Sequence, residues 1–197
     1  MVLSQCEDAR VSANENIEAS PSDVALVAAI NRGDAAAFEV LYFRHRDWVA
    51  GLAYRFTGDS DTALDVMQET FLYLLRKFPG FRLTANLKTF LYPAVRNLSI
   101  AARRKTARYQ ATPAEQEQLE HAPAPTAPAT GADDLQVVLG ALPAEQREVL
   151  LLRFVDGLSL AEIGTALDIP LGTVKSRLHN ALLTLRQDPR TRAFFGR

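Results

Sequence analysis

The sequence predicts an all-α chain made of two small helical domains joined by a flexible linker, the C-terminal one containing a helix-turn-helix. Three observations carry this. Apolar residues recur at helical spacing through residues 22–107 and again through 134–187. Between them lies "ATPAEQEQLEHAPAPTAPATGADD", acidic, rich in Pro, Ala and Thr and almost without large side chains, so burial cannot offset its ordering entropy. The C-terminal part then reads as a short capped helix, a tight turn and a second helix with one apolar and one polar face. The expected division is a disordered leader (1–21), a helical domain (22–107), a linker (108–133), a helix-turn-helix domain (134–187) and a tail (188–197). The linker is expected to hold the two units only loosely, leaving their spacing to be set by a partner.

Composition narrows the class. Of 197 residues, 48% are hydrophobic, enough for a real core. No run of about eighteen apolar residues offers a membrane span, and "MVLSQCEDARVSANENIEAS" has neither the basic start nor the apolar centre of a secretory signal, so a cytoplasmic protein is expected. Cys6 is the single cysteine, which excludes an internal disulfide and a cysteine-based zinc site. The net charge of −1 averages opposed blocks. Arg82, Lys88, Arg96, Arg103, Arg104, Lys105 and Arg108 follow one another with no intervening acid, whereas Glu115, Glu117, Glu120, Asp133 and Asp134 follow with no Lys or Arg. The neutral total therefore does not argue against a nucleic-acid partner.

Taken in order, Ser22 caps a short helix to about Asn31, and Asp34 caps a long one carrying Phe38, Leu41, Tyr42, Trp48, Val49, Leu52 and Phe56. "TGDSD" breaks it. A third helix is expected over Asp61 to Phe78, acidic in its first turn and ended by Pro79 and Gly80. A fourth spans Leu87 to Lys105, where Leu87, Leu91, Val95, Leu98 and Ala102 form a core stripe beside a second stripe of Lys88, Tyr92, Arg96, Ser99 and Arg103. Bases interleaved with an aromatic suit an unstacked strand, the cations tracking phosphates and the ring offering a stacking face, although a solvated basic face has the same pattern. Pro93 removes a hydrogen bond within this helix and is expected to kink it.

In the C-terminal unit, Pro143 suits the first turn of "LPAEQREVLLLRFV". Ser159 and Glu162 have capping-box spacing, and Leu158 can staple onto Ile163. This helix ends near Leu167, and "DIP" makes the turn, with Asp168 in the left-handed position that usually takes Gly. In "GTVKSRLHNAL" and just beyond, Val174, Leu178, Ala181, Leu182 and Leu185 make a core stripe. Thr173, Lys175, Ser176, Arg177, His179 and Asn180 point away from it, residue types that reach phosphates and base edges.

Catalytic signatures fail. "HRD" at 45–47 has no Gly-rich loop or DFG to accompany it, and His45, His121 and His179 fall in different elements without metal-ligand spacing. No nucleotide-binding loop or nucleophile elbow occurs, so no enzyme, cofactor or metal is expected.

The segments "GDAAAFEVLYFRH", "DVMQETFLYLLRK", "FLYPAVRNLSI" and "LPAEQREVLLLRFVDGLSLAEIGTALDIPLGTVKSRLHNALLTLR", in this order and with this linker, resemble an extracytoplasmic-function (ECF) sigma factor over almost all of residues 22–187. The resemblance implies a bacterial transcription-initiation subunit that is not an enzyme, binds core RNA polymerase and recognises two elements of promoter DNA. It implies that Asp65, Gln68, Glu69 and Leu72 dock on a coiled coil of the largest polymerase subunit; residues 65, 69 and 72 do share a helix face. Arg82, Asn86, Lys88, Tyr92, Arg96 and Arg103 would hold the melted downstream strand. Thr173, Lys175, Ser176, His179 and Asn180 would face the upstream element, with Arg177 on a phosphate. Many members have Arg at position 180 and Ala at 164; Asn180 bears on the preferred sequence, and Gly164 on local helix stability alone. An anti-sigma factor is a further partner the resemblance allows. The rival readings are a helix-turn-helix regulator that never joins polymerase and a protein-interaction module. The promoter sequence, the activating signal and the roles of the leader and of Cys6 are not written in the residues.

Overall fold

The computed structural model describes residues 21–110 and 134–191. The leader with Cys6, the linker between 111 and 133 and the tail from 192 onward lie outside the described residues. Among the described residues there are eight helices and no strand: α1 (Asp23–Asn31), α2 (Ala35–Thr57), α3 (Ser60–Leu75), α4 (Leu87–Gln110), α5 (Asp134–Ala141), α6 (Ala144–Phe154), α7 (Leu160–Leu167) and α8 (Leu171–Gln187).

Local chemistry explains most of the boundaries. Ser22, Asp34 and Asp59 accept from the backbone N–H groups of Ala25, Ala37 and Thr62, so each of the first three helices starts on a side-chain cap. Gly58 closes α2 at φ 71°, a conformation glycine reaches without a Cβ clash. Helix α3 begins one residue before the expected Asp61 and stops at Leu75 rather than Phe78. Lys77 and Phe78 donate to Leu74 and Leu75, tighter bonds that unwind the end, and the residue before a proline is steered out of helical backbone. Helix α4 runs on to Gln110, past the expected Lys105, with Pro93 inside it. Helix α5 was not anticipated as a separate element.

Helices α2, α3 and α4 pack against one another, and α1 lies on α2. Their shared core holds the fully buried Leu41, Val49, Leu74, Leu87, Leu91 and Val95; burying each such side chain contributes about 1.5–3 kcal/mol. Tyr42 and Phe38 meet Phe71 edge-on at 4.8 and 6.5 Å between ring centroids. His45 is buried beside Asp23, its Nε2 2.8 Å from Oδ2. Burial of the ring outweighs the attraction of Asp23 and lowers the imidazole pKa.

In the C-terminal unit α6 and α7 pack on α8. A small cluster of Val138, Leu142, Leu150, Ala181 and Leu185 closes its far side. The two units are not held apart: α7 packs on α4, and Val149, Leu152, Leu158, Ile163 and Val174 belong to the same apolar cluster as the core of α2 to α4.

Candidate nucleic-acid interface

The helix-turn-helix is built as its residues specify. Ser159 N–H donates to Glu162 Oε2 at 2.8 Å while Glu162 N–H donates to Ser159 Oγ at 3.3 Å, so the capping box is complete. The Ser159 N–H, above all, holds the Glu162 carboxyl below the usual carboxylate range. Asp168 takes the left-handed position at φ 55°, ψ 48°. Gly164 does more than lower helix propensity: a Cβ there would lie 3.1 Å from the Ile169 carbonyl oxygen and 3.8 Å from Val174 Cγ2, so its bare backbone lets the turn cross close to α7.

On α8, Val174, Ala181 and Leu185 are buried, and Leu178 and Leu182 half-buried. Lys175, Ser176, His179 and Asn180 are exposed together on the opposite face, with Thr173 half-buried at its edge. Ser176 Oγ donates to the Thr173 carbonyl at 3.0 Å. Arg177 is half-buried and ion-paired with Glu145 of α6 at 2.6 Å, so a carboxylate sits where a phosphate is expected.

The second candidate surface is the loop after α3 with the start of α4. Asn31, at the end of α1, anchors that loop: its Nδ2 donates to the Phe81 carbonyl at 2.8 Å, and Gly80 N–H donates to its Oδ1 at 2.6 Å. Gly80 adopts φ 102°, a backbone only glycine takes readily. Asn86 Oδ1 accepts from Lys88 N–H at 3.0 Å, which caps α4. The loop and α4 bound a cleft of about 580 Å³ whose walls include Tyr73, Arg82, Asn86, Phe90 and Asn97. Tyr73 stacks on Phe90 at 5.9 Å, and Phe81 meets Phe90 at 4.6 Å. Sequence reasoning missed Tyr73, Phe90 and Asn97, although positions 90, 93, 94 and 97 share a face of α4 adjoining the basic stripe.

The basic stripe itself departs from expectation. Arg82 and Asn86 are exposed, but Tyr92 is 2% exposed and Ser99 is fully buried, so the ring offers no stacking face here. Tyr92 packs edge-on to Phe56 and donates to Glu148 Oε1 at 2.5 Å. Burial first, then the charge of Glu148, pushes its phenol far up, so it remains a donor. Arg103 Nη1 donates to the Phe56 carbonyl at 3.0 Å and ties α4 to the end of α2. Lys88 Nζ donates to the Asp156 carbonyl at 3.0 Å and lies 5.4 Å from the Trp48 ring centroid. Arg96 Nε is 3.3 Å from Glu148 Oε1.

Asp156, in the turn between α6 and α7, is the centre of this contact. Its side chain is 2% exposed. It accepts from Trp48 Nε1 at 2.8 Å and from Arg55 Nη2 at 2.8 and 2.7 Å. In the sequence "DGL" at 156–158 is only the connection between two helices; a carboxylate beside Gly157 at φ 75° gives no sign of its distant partners.

The third surface is the outer face of α3, where Asp65, Gln68, Glu69 and Leu72 are all exposed, Leu72 to 50%. Leu64 and Leu75 extend its apolar part. Among the described residues no helix is long and apolar enough to cross a membrane, and no group of three His, Cys, Asp or Glu could hold a metal.

Known proteins place this architecture. The Sigma-70 region 2 family matches residues 41–109 and Sigma-70, region 4 matches 138–187. The chain is 35% identical over 169 residues to the ECF RNA polymerase sigma factor SigE of Mycolicibacterium smegmatis, covering 78% of this chain and 63% of that protein. It is 32% identical over 174 residues to the ECF sigma factor SigW of Bacillus subtilis, covering 82% of this chain and 93% of the relative. Among solved structures, the sigma factor RpoE in complex with the anti-sigma factor NepR from Bartonella quintana superposes with a TM-score of 0.56 at 25% identity, over 76% of this chain and 94% of that one. CnrH, solved with the cytosolic domain of CnrY, shares the fold at a TM-score of 0.57 and 23% identity, over 81% of this chain and 91% of that one. The chain therefore belongs to the extracytoplasmic-function RNA polymerase sigma factors, transcription-initiation factors built from a region 2 and a region 4.

Proposed function

We propose that this chain binds core RNA polymerase through the outer face of α3, holds the melted downstream promoter strand with the loop after α3 and the basic side of α4, and reads the upstream promoter element with α8. The observation that carries this reading is the face of α8: four polar side chains, Lys175, Ser176, His179 and Asn180, are exposed together above a core stripe that locks the helix in place. The cleft lined by Tyr73, Arg82 and Asn86 supplies a second recess, suited to an unstacked base. Residues 22–107 and 134–187 act as the two functional domains, joined by the linker. The chain works in the cytoplasm, where core polymerase and DNA are, and has no catalytic activity of its own. Because RpoE of Bartonella quintana was solved with an anti-sigma factor, a partner of that kind is expected here too.

The test is reconstitution. Purified chain added to bacterial core polymerase is expected to co-elute with it and to direct transcription from a subset of promoters selected from a random library. A chain that binds duplex DNA but never co-elutes with core is a stand-alone regulator, and the proposal fails.

A further inference from the structure

We propose that Glu145 is an affinity-setting residue for promoter DNA: its carboxylate competes with a backbone phosphate for the guanidinium of Arg177, so duplex binding proceeds by exchange of one anion for the other. This rests on the reading of α8 as the duplex-reading helix. Two cations near the start of that helix are in different states. Lys175 is exposed, whereas Arg177 Nη2 lies 2.6 Å from Glu145 Oε2. The pair is lopsided, with the Arg177 side chain 24% exposed and that of Glu145 67%. The guanidinium is drawn toward the first turn of α6, while the carboxylate remains largely in water.

An ion pair with one partner so exposed adds little to stability, so it is readily broken. The place of Glu145 in the chain makes the exchange easier still. It stands in the first turn of α6, where the positive end of the helix favours an acid and Pro143 supplies no side-chain cap. When Arg177 turns to a phosphate, the carboxylate is therefore still stabilised by the helix it belongs to. The arginine fork matches two oxygens of a phosphate as well as it matches a carboxylate. Phosphate contacts carry no sequence information, so Glu145 governs how tightly DNA is held and not which sequence is chosen. It also governs the response to salt. With Glu145 in place, the counterion that Arg177 releases from DNA is offset by a cation drawn to the freed carboxylate; without the carboxylate, the same contact adds about one counterion to the salt slope.

The test is a titration of the full-length protein with a fluorescein-labelled random-sequence duplex over a range of salt. Glu145→Gln, nearly isosteric, is expected to tighten binding about threefold at low salt and to steepen the salt slope by about one counterion. Glu145→Ala removes the carboxylate by a different route and should repeat both changes. Adding Arg177→Gln, which keeps most of the apolar stem, to Glu145→Gln should abolish the gain and return the slope to that of the unaltered chain. With core polymerase, Glu145→Gln should recover the same upstream sequence from a random promoter library as the unaltered chain does. Four results would each overturn the proposal. Unchanged affinity and slope in both single variants would show that the two anions do not compete, and weaker binding would show that Glu145 orients Arg177 toward DNA. A double variant that keeps the gain would reduce Glu145 to a bare charge repelling DNA, and a shifted sequence preference would place it in base readout. The underlying reading is tested separately by Lys175→Ala in the same titration. Unaltered binding there would remove α8 from the DNA, whereas weaker binding beside an inert Glu145→Gln would remove the competition alone.

Discussion

The two DNA-facing surfaces of this sigma factor are made from the same kind of amphipathic helix and end in opposite states. On α8 the polar side chains stand in solvent, ready to meet DNA. On α4 the corresponding stripe is partly engaged: Tyr92 is 2% exposed, and Lys88 and Arg96 contact the C-terminal unit, while the Arg96 side chain stays 44% exposed. Helical periodicity describes both equally well. What separates them is which face happens to complement the acidic turn and helix ends of another unit, so a polar stripe states what a surface can bind and not whether it is available.

The largest effect that would sharpen this contrast comes from the third surface, which neither unit covers. Asp65→Arg with Glu69→Arg places cations against a partner expected to be basic, and like charges at a close interface cost several kcal/mol. Core binding should collapse in a co-elution assay while Trp48 emission and helicity stay as they are, because both residues are exposed on α3. Retained core binding would move the docking surface elsewhere.

A smaller effect belongs to base choice on the open surface. Asn can bind adenine through two hydrogen bonds, a pairing worth roughly 1–3 kcal/mol of discrimination. Asn180→Arg should therefore change the upstream sequence recovered from a randomised promoter library. The same sequence from both proteins would make Asn180 a bystander.

Smaller again, and most directed at the comparison, is a pair of lysines. In the free protein Lys175→Ala should weaken duplex binding on all sequences alike and lower the salt slope by about one counterion. Lys88→Ala should leave the DNA affinity of the free protein unaltered, since its ammonium is already engaged by the Asp156 carbonyl. Equal losses from the two substitutions would mean that α4 is as accessible as α8.

The smallest effect is on pH. Burial lowers the His45 pKa in the folded chain, so the unfolded state takes up the proton first as pH falls. Stability is then fully present above about pH 6.5, the ordinary histidine value, and declines below it toward the depressed folded pKa. Thermal melts across this window should show that decline, and His45→Gln should flatten it. A flat wild-type profile would mean that Asp23 compensates the burial completely.

Much of the architecture is legible in the residues alone. Ser22, Asp34 and the Ser159–Glu162 pair mark helix starts because the orphan N–H groups of a first turn need an acceptor within three residues, a purely local demand. Asp168 in the left-handed turn and the stripe through Val174, Ala181 and Leu185 follow from equally local rules. The end of α3 was placed three residues late because Pro79 acts on the residues ahead of it through small steric terms that periodicity does not register.

The sequence alone thus determined most of the helices, several of their caps and the helix-turn-helix with the polar face of α8, because those follow from contacts within four residues along the chain. Only the tertiary structure decided that Tyr92 is buried, that Arg103 ties down the end of α2, that Gly164 makes room for the Ile169 carbonyl, and that Asp156 closes on Trp48 and Arg55. Trp48 and Asp156 are 108 residues apart, on opposite sides of the linker. A hydrogen bond between them depends on the docking of two surfaces, and no local spacing rule encodes where one unit comes to rest on another.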